Sequence, residues 1–495
     1  MSEGETPGGG PGNGEIRHRY QTIGLILGPI AAAILLFLPT PAGLSPEGWR
    51  LAAVALLMAI WWATEALPIP ATAFIPVIAF PVLGITSTDA AAAPYMDPVI
   101  FLLLGGFIIA RSLERWNLHR RIALNILARV GSSPSKIIFG FMLATALLSM
   151  WVSNTATTAM MLPIGMSVIA VIGLEGKSGH DFAIALLLAI AYSASIGGLA
   201  TLVGTPPNAM LAGFMRETYH EPIAFNRWLL IGIPVVLVML PTAWLVLTRL
   251  VFRLPKGSVA DAEHTIAAQL AELGPITRPE KRTAVLFGLV AIAWCLRPQI
   301  GALLGLKGLS DAGIAMTGAL ALFLIPSGDS AGRGRCLLDW QSAAKLNWGV
   351  ILLFGGGLSL AAAVSATGLA AWLGQALSVL TTWPPILLAA AIATLIIFLT
   401  ELTSNAATTA AILPILGAIA TQGHIDPMVI AVPGVLAATC AFMLPVATPP
   451  NAMVFGAGFI HVPDMVKAGF RLNIAGIVII TLLSYFLVPL VFGTH

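Results

Sequence analysis

Two short polar clusters interrupt long apolar stretches of the chain, and each carries side chains that can bind an ion in the absence of water. The first is SNTATT at 153–158, within the apolar stretch 137–172, and the second is SNAATT at 404–409, within 386–420. Their hydroxyl and amide groups donate hydrogen bonds, and a helix that begins at such a cluster adds free N–H groups and a positive dipole end, which favour an anion. The helix that ends there leaves free carbonyl oxygens, which suit sodium. The clusters therefore predict an anion and a cation held side by side.

Each cluster needs elements that hold it in the middle of a membrane. An arm such as 137–151 is about 22 Å long as a helix, which is short of the roughly 30 Å hydrocarbon core. We therefore predict two re-entrant helical hairpins, with tip 1 at 153–158 and tip 2 at 404–409. Non-helical backbone at that depth is tolerated only where it lines a cavity.

The chain repeats itself, with the same elements in the same order in both halves. The matched segments are VSNTATTAMMLPI (152–164) and TSNAATTAAILPI (403–415), GTPPNAM (204–210) and ATPPNAM (447–453), and the pairs Gly105–Gly106 and Gly355–Gly356. Each Pro-Pro pair removes N–H donors and frees the carbonyls upstream. The pattern predicts two broken spanning helices whose freed carbonyls complete the cation sites.

The composition places the rest of the chain in a lipid bilayer. Of the 495 residues, 58% are hydrophobic and 9% are charged, against about 25% charged in a soluble domain. Apolar segments of spanning length lie near 21–40, 49–67, 70–87, 97–110, 183–214, 228–252, 283–300, 313–326, 346–365, 427–456 and 470–492. We predict an all-α integral membrane protein with about 11 transmembrane segments plus the two hairpins. The net charge of +3 without a basic stripe argues against a nucleic-acid partner.

The distribution of Lys and Arg orients the two halves. Segment 111–136, which follows the first glycine pair, is rich in Arg, whereas the equivalent segment 361–386 has no charged residue. Under the positive-inside rule the first is cytoplasmic and the second extracytoplasmic, so the repeats are inverted. We expect a plasma (inner) membrane protein with a cytoplasmic N-terminus and an extracytoplasmic C-terminus. The Gly- and Pro-rich start of the chain predicts a disordered cytoplasmic tail over 1–19.

Fixed charge is nearly absent around the two tips. Stretch 137–172 has no charged residue, and 387–423 has only Glu401. Burying a dianion without counter-charges is very costly, so cations that enter with the substrate would solve the problem. Glu401 is either functional or a carboxylate that stiffens the hairpin through backbone hydrogen bonds, and for Glu65 we favour a structural role.

Two other classes of protein fit less well. In an intramembrane enzyme, Ser153 would need a base, and all eight histidines lie in loops or near the ends of spans. A channel would need a ring of charge or a carbonyl filter, and neither is evident.

Five segments together resemble the divalent-anion/sodium symporter family over residues from about 20 to the C-terminus. They are WWATEALPIPATAFIPV (61–77), SMWVSNTATTAMMLPI (149–164), VGTPPNAM (203–210), TELTSNAATTAAILPI (400–415) and LPVATPPNAM (444–453). The resemblance implies a homodimer in which each protomer has a scaffold and a transport domain that moves as an elevator. It divides the chain into scaffold segments 20–136 and 283–385, transport segments 137–252 and 386–495, and a cytoplasmic loop at 253–282.

The resemblance also assigns roles to individual residues. The implied contacts to a small divalent anion come from Ser153, Asn154, Thr155, Thr205, Ser404, Asn405 and Thr448. The implied ligands of two sodium ions are Ser149, Ser153, Asn154 and the region of Gly204 for the first, and Thr400, Thr403, Asn405 and the region of Ala447 for the second. In both halves a hydroxyl residue lies one helical turn before the tip serine, which places both oxygens on one face.

Tip 2 departs from tip 1, because Ala406 stands where tip 1 has the hydroxyl of Thr155. One donor is lost there, which leaves the size of the second anionic group open. A C4 dicarboxylate such as succinate, malate or fumarate, imported with sodium, is our first choice. Sulfate or citrate as substrate, and exchange or proton coupling as mechanism, stay as alternatives.

Overall fold

The structure is a computed structural model whose described residues are almost entirely helical. It describes residues 19–172, 176–255, 260–329, 334–377 and 382–493. Within these ranges there is no β-strand, only an isolated antiparallel bridge between Pro326 and Cys336. The predicted tail falls outside the described residues except for Arg19, which begins the first helix.

Seven helices precede the first hairpin. They are α1 (Arg19–Phe37), α2 (Pro46–Thr64), α3 (Ile69–Thr72), α4 (Ile75–Val82), α5 (Thr88–Ala92), α6 (Pro98–Arg115) and α7 (Leu118–Val130). The prediction of a single spanning helix over 70–87 is wrong, since α3 ends at Thr72 and α4 begins at Ile75. The ring of Pro76 would clash with the Thr72 carbonyl in a continuous helix.

The first hairpin and its neighbours comprise six helices. They are α8 (Pro134–Ser149), α9 (Asn154–Ile172), α10 (Gly176–Gly198), α11 (Pro206–Tyr219), α12 (Phe225–Leu245), which ends in a π-helical turn (Val246–Val251), and α13 (Ala260–Glu272). The helix breaks at tip 1 and before the first Pro-Pro pair lie where the sequence predicts them.

The second half repeats this order. Its helices are α14 (Arg278–Cys295), α15 (Arg297–Leu304), α16 (Asp311–Leu324), α17 (Trp340–Ala343), α18 (Trp348–Ala366), α19 (Leu369–Ala376), α20 (Pro385–Thr400), α21 (Asn405–Gln422), α22 (Pro427–Ala438), α23 (Pro449–Phe455) and α24 (Val462–Phe492). Tip 2 separates α20 from α21, and the second Pro-Pro pair begins α23.

Seven helical segments among the described residues are long and apolar enough to cross a membrane, and the bent pair α14–α15 makes an eighth candidate. The hairpin arm helices α8 and α20 are shorter than a span. Helix α10 is almost wholly buried and packs against α8, α9, α12 and α23. The first hairpin, α12 and the second half of the other repeat's broken helix therefore pack around α10, while α1 and α24 present many apolar side chains to the outside.

Glycine permits the close approach between α10 and the first hairpin. A Cβ placed on Gly197 would overlap the backbone of Ala146 in α8. The mid-helix Gly288 in α14 has open space around it instead. Gly197 and Gly288 are both helical, but only Gly197 is packed against the backbone of another helix.

We predict that Gly197→Ala destabilises the protein by about 1–3 kcal/mol, because α8 and α10 must separate to admit the methyl group. Gly288→Ala is the matched control and is expected to be neutral or slightly stabilising, since alanine is the better helix former. Thermal unfolding of both variants in detergent measures the difference. Equal melting temperatures would show that the α8–α10 contact tolerates a wider spacing.

Candidate functional site

The first tip is built around the hydroxyl of Ser149, the last residue of α8. Its Oγ lies 2.7 Å from Asn154 Oδ1 at the start of α9, and 2.7 Å from the carbonyl oxygen of Ala194 in α10. Ser153 begins α9 as a cap, since its Oγ accepts a hydrogen bond from the backbone N–H of Ala156 at 3.3 Å. Ser149 thus ties tip 1 to the helix that breaks beside it.

The break after α10 is held by two side chains. Asn208 Nδ2 donates to the carbonyls of Gly198 and Thr201, at 3.1 and 2.8 Å, and so satisfies oxygens that the break frees. Thr201 Oγ1 donates to the carbonyl of Met150 in tip 1 at 2.5 Å. Gly198 is required here, because a Cβ at this position would lie 2.7 Å from Asn154 Oδ1.

The second half makes the same contacts with different residues. Thr400 Oγ1 lies 2.8 Å from Asn405 Oδ1 and 2.9 Å from the carbonyl oxygen of Ala438, the last residue of α22. Asn451 Nδ2 donates to the carbonyls of Ala441 and Leu444, at 3.0 and 3.1 Å. The sequence repeat is therefore also a repeat of side-chain geometry.

The hydroxyl groups of Ser149 and Thr400 each face more hydrogen-bond acceptors than they have protons to donate. A serine or threonine hydroxyl carries one proton, yet Ser149 and Thr400 each face an amide oxygen and a backbone carbonyl oxygen. Each hydroxyl can therefore donate to only one of the two oxygens that it faces. Such surplus lone pairs suit a small hard cation, which the neutral oxygens can coordinate without a carboxylate. No group of His, Cys, Asp and Glu that could hold a metal ion occurs among the described residues.

The amides of the two Pro-Pro-Asn segments were not singled out by the sequence analysis. The Oδ1 atoms of Asn208 and Asn451 are both buried without a hydrogen-bond partner among the described residues. Both asparagines follow a Pro-Pro pair at the same position of the repeat, and this pattern could have identified them from the sequence. Each amide nitrogen, on the helix that begins after a break, donates to carbonyls on the other side of that break, and each amide oxygen stays buried and unpaired.

Glu401 has the structural role that the sequence analysis left open. Its Oε1 accepts hydrogen bonds from the N–H of Phe442 at 2.8 Å and from Asn473 Nδ2 at 2.7 Å, and its Oε2 accepts from the N–H of Leu444 at 3.0 Å. The carboxylate also accepts from the N–H of Met443. It therefore ties tip 2 to the second helix break and to α24.

Glu65 is exposed at the end of α2, in a left-handed backbone conformation with φ 47°. It lies at the C-cap of that helix and its backbone N–H bonds to the Trp61 carbonyl. The bond does not involve the carboxylate, so the structural role that we favoured for Glu65 stays a prediction.

The two repeats contact each other at their helix breaks. Tyr192 of α10 donates to the carbonyl of Phe442 at 2.7 Å, and the two rings lie 5.1 Å apart. Helix α9, which follows tip 1, packs against α23, and α21, which follows tip 2, packs against α11. Each tip helix thus contacts the far side of the other repeat's break.

The predicted site residues differ in exposure. Ser153 and Thr155 are exposed, and Asn154, Thr403, Ser404 and Asn405 are partly exposed. Ser149, Gly204, Thr205, Thr400, Ala447 and Thr448 are buried. Thr403 lies apart from the Thr400 cluster, because its Oγ1 bonds to Thr408 and to the Leu399 carbonyl. The structure thus separates buried oxygens, suited to a cation, from accessible donors at the tips.

Comparison with known proteins matches this chain to one transporter family. The model of the sodium:sulfate symporter transmembrane region matches residues 20–492. The chain belongs to this family. The sodium-dependent dicarboxylate transporter SdcS of Staphylococcus saprophyticus is 42% identical over 486 residues, which cover 96% of this chain and 92% of that protein. SdcS of Staphylococcus aureus strain MRSA252 is 40% identical over 492 residues, with the same shares.

A solved structure shares the fold. The YdaH transporter of Alcanivorax borkumensis superposes with a TM-score of 0.56 at 16% identity, over 96% of this chain and 97% of that one. The resemblance to divalent-anion/sodium symporters is confirmed, as are the helical membrane fold and the assignment to transporters rather than enzymes.

We predict that Glu401→Gln lowers both thermal stability and transport, because one of its two carboxylate oxygens becomes an NH₂ group that faces backbone donors. Leaving such buried donors unpaired costs about 1–3 kcal/mol. Glu263→Gln on α13, which is exposed, is the matched control and should leave both unchanged. Melting temperature and uptake are measured on the same preparations. If Glu401→Gln had normal stability but no transport, the structural role of the Glu401 carboxylate would be contradicted and a direct role in binding would be indicated.

Proposed function

We propose that this protein is a secondary active transporter that imports small divalent anions, C4 dicarboxylates such as succinate, malate and fumarate, together with more than one sodium ion. The observation that carries the proposal is the pair of surplus-oxygen clusters at Ser149 and Thr400, each beside exposed or partly exposed donors of a tip. The names of the similar staphylococcal transporters give the same substrate class and the same ion.

The charge balance of the site supports sodium coupling. No Lys or Arg lies within the stretches 137–172 and 387–423, and the one carboxylate there, Glu401, is already satisfied by backbone N–H groups and Asn473. A dianion bound between the tips therefore needs mobile counter-charges. Two cations in the two clusters would neutralise it, which makes substrate binding depend on sodium.

Two equivalent tips suit a substrate with an acidic group at each end. We assign one carboxylate to Ser153, Asn154 and Thr155 and the other to Ser404 and Asn405. Thr205 and Thr448 are the N-caps of α11 and α23, beside the breaks. The sodium ligands are those that the family resemblance implies, except Thr403, whose hydroxyl bonds to Leu399 and Thr408 instead. The carbonyls of Ala194 and Ala438 are added on the basis of their contacts to Ser149 and Thr400.

The scaffold and transport segments named above would move past each other as an elevator. Glycines support this division, because they make flat contacts between the two sets of segments. A Cβ on Gly106 of α6 would lie 3.1 Å from Val203, and one on Gly357 of α18 would lie 3.1 Å from Met210 and 3.2 Å from Ala410. Flat surfaces can slide without unlocking interdigitated side chains. The proposal includes inverted repeats, about 11 spans, an extracytoplasmic C-terminus and a homodimer.

One contact between these segments is aromatic and exists only in the first repeat. Trp151, two residues before tip 1, packs against Phe287 and Trp294 of α14, with ring centroids 5.1 and 6.4 Å away. Phe225, which belongs to the same transport segment as Trp151, lies 6.1 Å from it and also stacks on Trp294. The equivalent residue of tip 2, Leu402, is 69% exposed. This contact would favour the present position of the transport segments over the alternative one.

We predict that Asn154→Ala and Asn405→Ala each raise the succinate concentration for half-maximal uptake about 10- to 100-fold, because a hydrogen bond to a charged group contributes about 1.5–3 kcal/mol. Uptake of radiolabelled succinate into proteoliposomes with and without an inward sodium gradient is the measurement. Asn125→Ala on α7 is the matched control, since its amide bonds only to the Arg121 carbonyl.

Other results would point to the alternatives. Uptake that ignores sodium but needs internal dicarboxylate would indicate exchange, and uptake driven by a pH gradient alone would indicate proton coupling. Sulfate or citrate competing better than unlabelled succinate would change the substrate. Normal uptake by both tip variants would remove the tips from the binding site.

We predict that Trp151→Leu, which copies tip 2, shifts the transport segments away from their present position. Each aromatic pair contributes about 0.5–1.5 kcal/mol, so the loss changes the population ratio severalfold. Spin labels at the exposed positions Lys177 and Lys345, in a background without the three native cysteines, report the distance distribution. Trp340→Leu, at an exposed tryptophan, is the control. An unchanged distribution in Trp151→Leu would contradict the role of this contact.

A further inference from the structure

One face of α14 combines unpaired cations with an exposed apolar stripe. Arg278, Lys281 and Arg282 are exposed at its N-terminal end. The next turns of the same face carry Val285, Leu289 and Ile292, exposed by 62%, 59% and 55%. These positions recur every three or four residues, so they form a single stripe along the helix.

The stripe borders a groove at its charged end. A cavity of about 280 Å³ is lined by Lys281, Arg282, Val285, Leu286, Leu289 and Ile325, the residue that follows α16. The Arg282 guanidinium donates to the Pro326 carbonyl, which holds it at the rim. The groove therefore has two cations at one end and hydrocarbon along its length.

The cations of the groove have no acidic partner within the described part of the chain. The nearest carboxylate in sequence, Glu280, is buried and taken by Arg121, whose Nε lies 2.7 Å away, and by the N–H of Thr277. No ion pair involves Lys281 or Arg282 among the described residues. Two adjacent cations beside an apolar surface are suited to bind an amphiphilic anion, which has both a negative group and a hydrocarbon chain.

We propose that this groove binds an anionic phospholipid. Its phosphate contacts Lys281 and Arg282, and an acyl chain lies along Val285 and Leu289. The groove lies at the end of α14 that the charge distribution predicts to be cytoplasmic, where basic pockets between spanning helices bind acidic headgroups. A zwitterionic lipid fits less well, because its own amine repels the two cations.

The charge also argues against a second copy of the chain as the occupant. An interface that buried Lys281 and Arg282 would need acidic groups opposite them, since unpaired buried charge is costly. The exposed residues of this face are basic or apolar. A twofold interface that brought the face against itself would place like charges together.

Native mass spectrometry of the purified full-length protein tests the proposal, with phosphatidylglycerol and phosphatidylcholine as probes. The variant Lys281→Gln/Arg282→Gln removes the two cations. Its matched control, Arg129→Gln/Lys136→Gln, removes two exposed cations near the same predicted membrane surface that do not line this groove. Thermal unfolding without added lipid checks that both variants fold alike.

We expect the wild type to bind phosphatidylglycerol more tightly than phosphatidylcholine. The groove variant should lose about fivefold in affinity for each cation, or about thirtyfold for both, while the control keeps the preference. Equal binding of the two lipids by the wild type, or an equal loss in both variants, would overturn the proposal. So would a groove variant that retains lipid but falls from dimer to monomer, because that result would make the face a contact between copies.

Discussion

This structure depends on hydrogen-bond partners for the backbone polar groups that are freed where helices break inside the membrane. In lipid each unpaired carbonyl or N–H costs several kcal/mol, so a break survives only if side chains or neighbouring helices take up the freed groups. Asn208 and Asn451 do this for the two broken helices, and Glu401 takes three N–H groups at the second break. The oxygens that remain beyond this need, around Ser149 and Thr400, are the ones available to a cation.

The two repeats use equivalent positions for different physical tasks. At the residue after Ser149 and Thr400, the first repeat ties its tip to the break through the Met150 carbonyl and the Thr201 hydroxyl, whereas the second uses the carboxylate of Glu401. The next residue is Trp151, packed among aromatic rings, or Leu402, which is exposed. The arrangement of hydroxyl, amide and carbonyl groups at Ser149 and Thr400 is thus duplicated, while the attachment of each tip to the rest of the protein is not.

Charge is excluded from the centre and concentrated at helix ends. Within the stretches 137–172 and 387–423 Glu401 is the sole charged residue, and its carboxylate accepts from backbone N–H groups and from Asn473. The basic residues of α14, by contrast, lie at its first turns beside exposed apolar surface. In the proposed mechanism, a neutral centre makes anion binding depend on cations that arrive with the substrate, and the fixed cations at the periphery contact lipid.

The sequence alone determined the membrane class, the two polar tips, the Pro-Pro breaks and the family. Each of these features is recognisable from hydropathy, prolines or motifs within a few neighbouring residues. It also placed Ser149 and Thr400 one turn before the tips. It was wrong about a continuous helix over 70–87, and the inversion of the repeats stays a prediction. Only the tertiary structure decided between the two roles of Glu401, joined Tyr192 to Phe442 and gave Trp151 its aromatic partners. Those contacts join residues far apart in the chain, so they follow from how the helices pack and not from any local pattern.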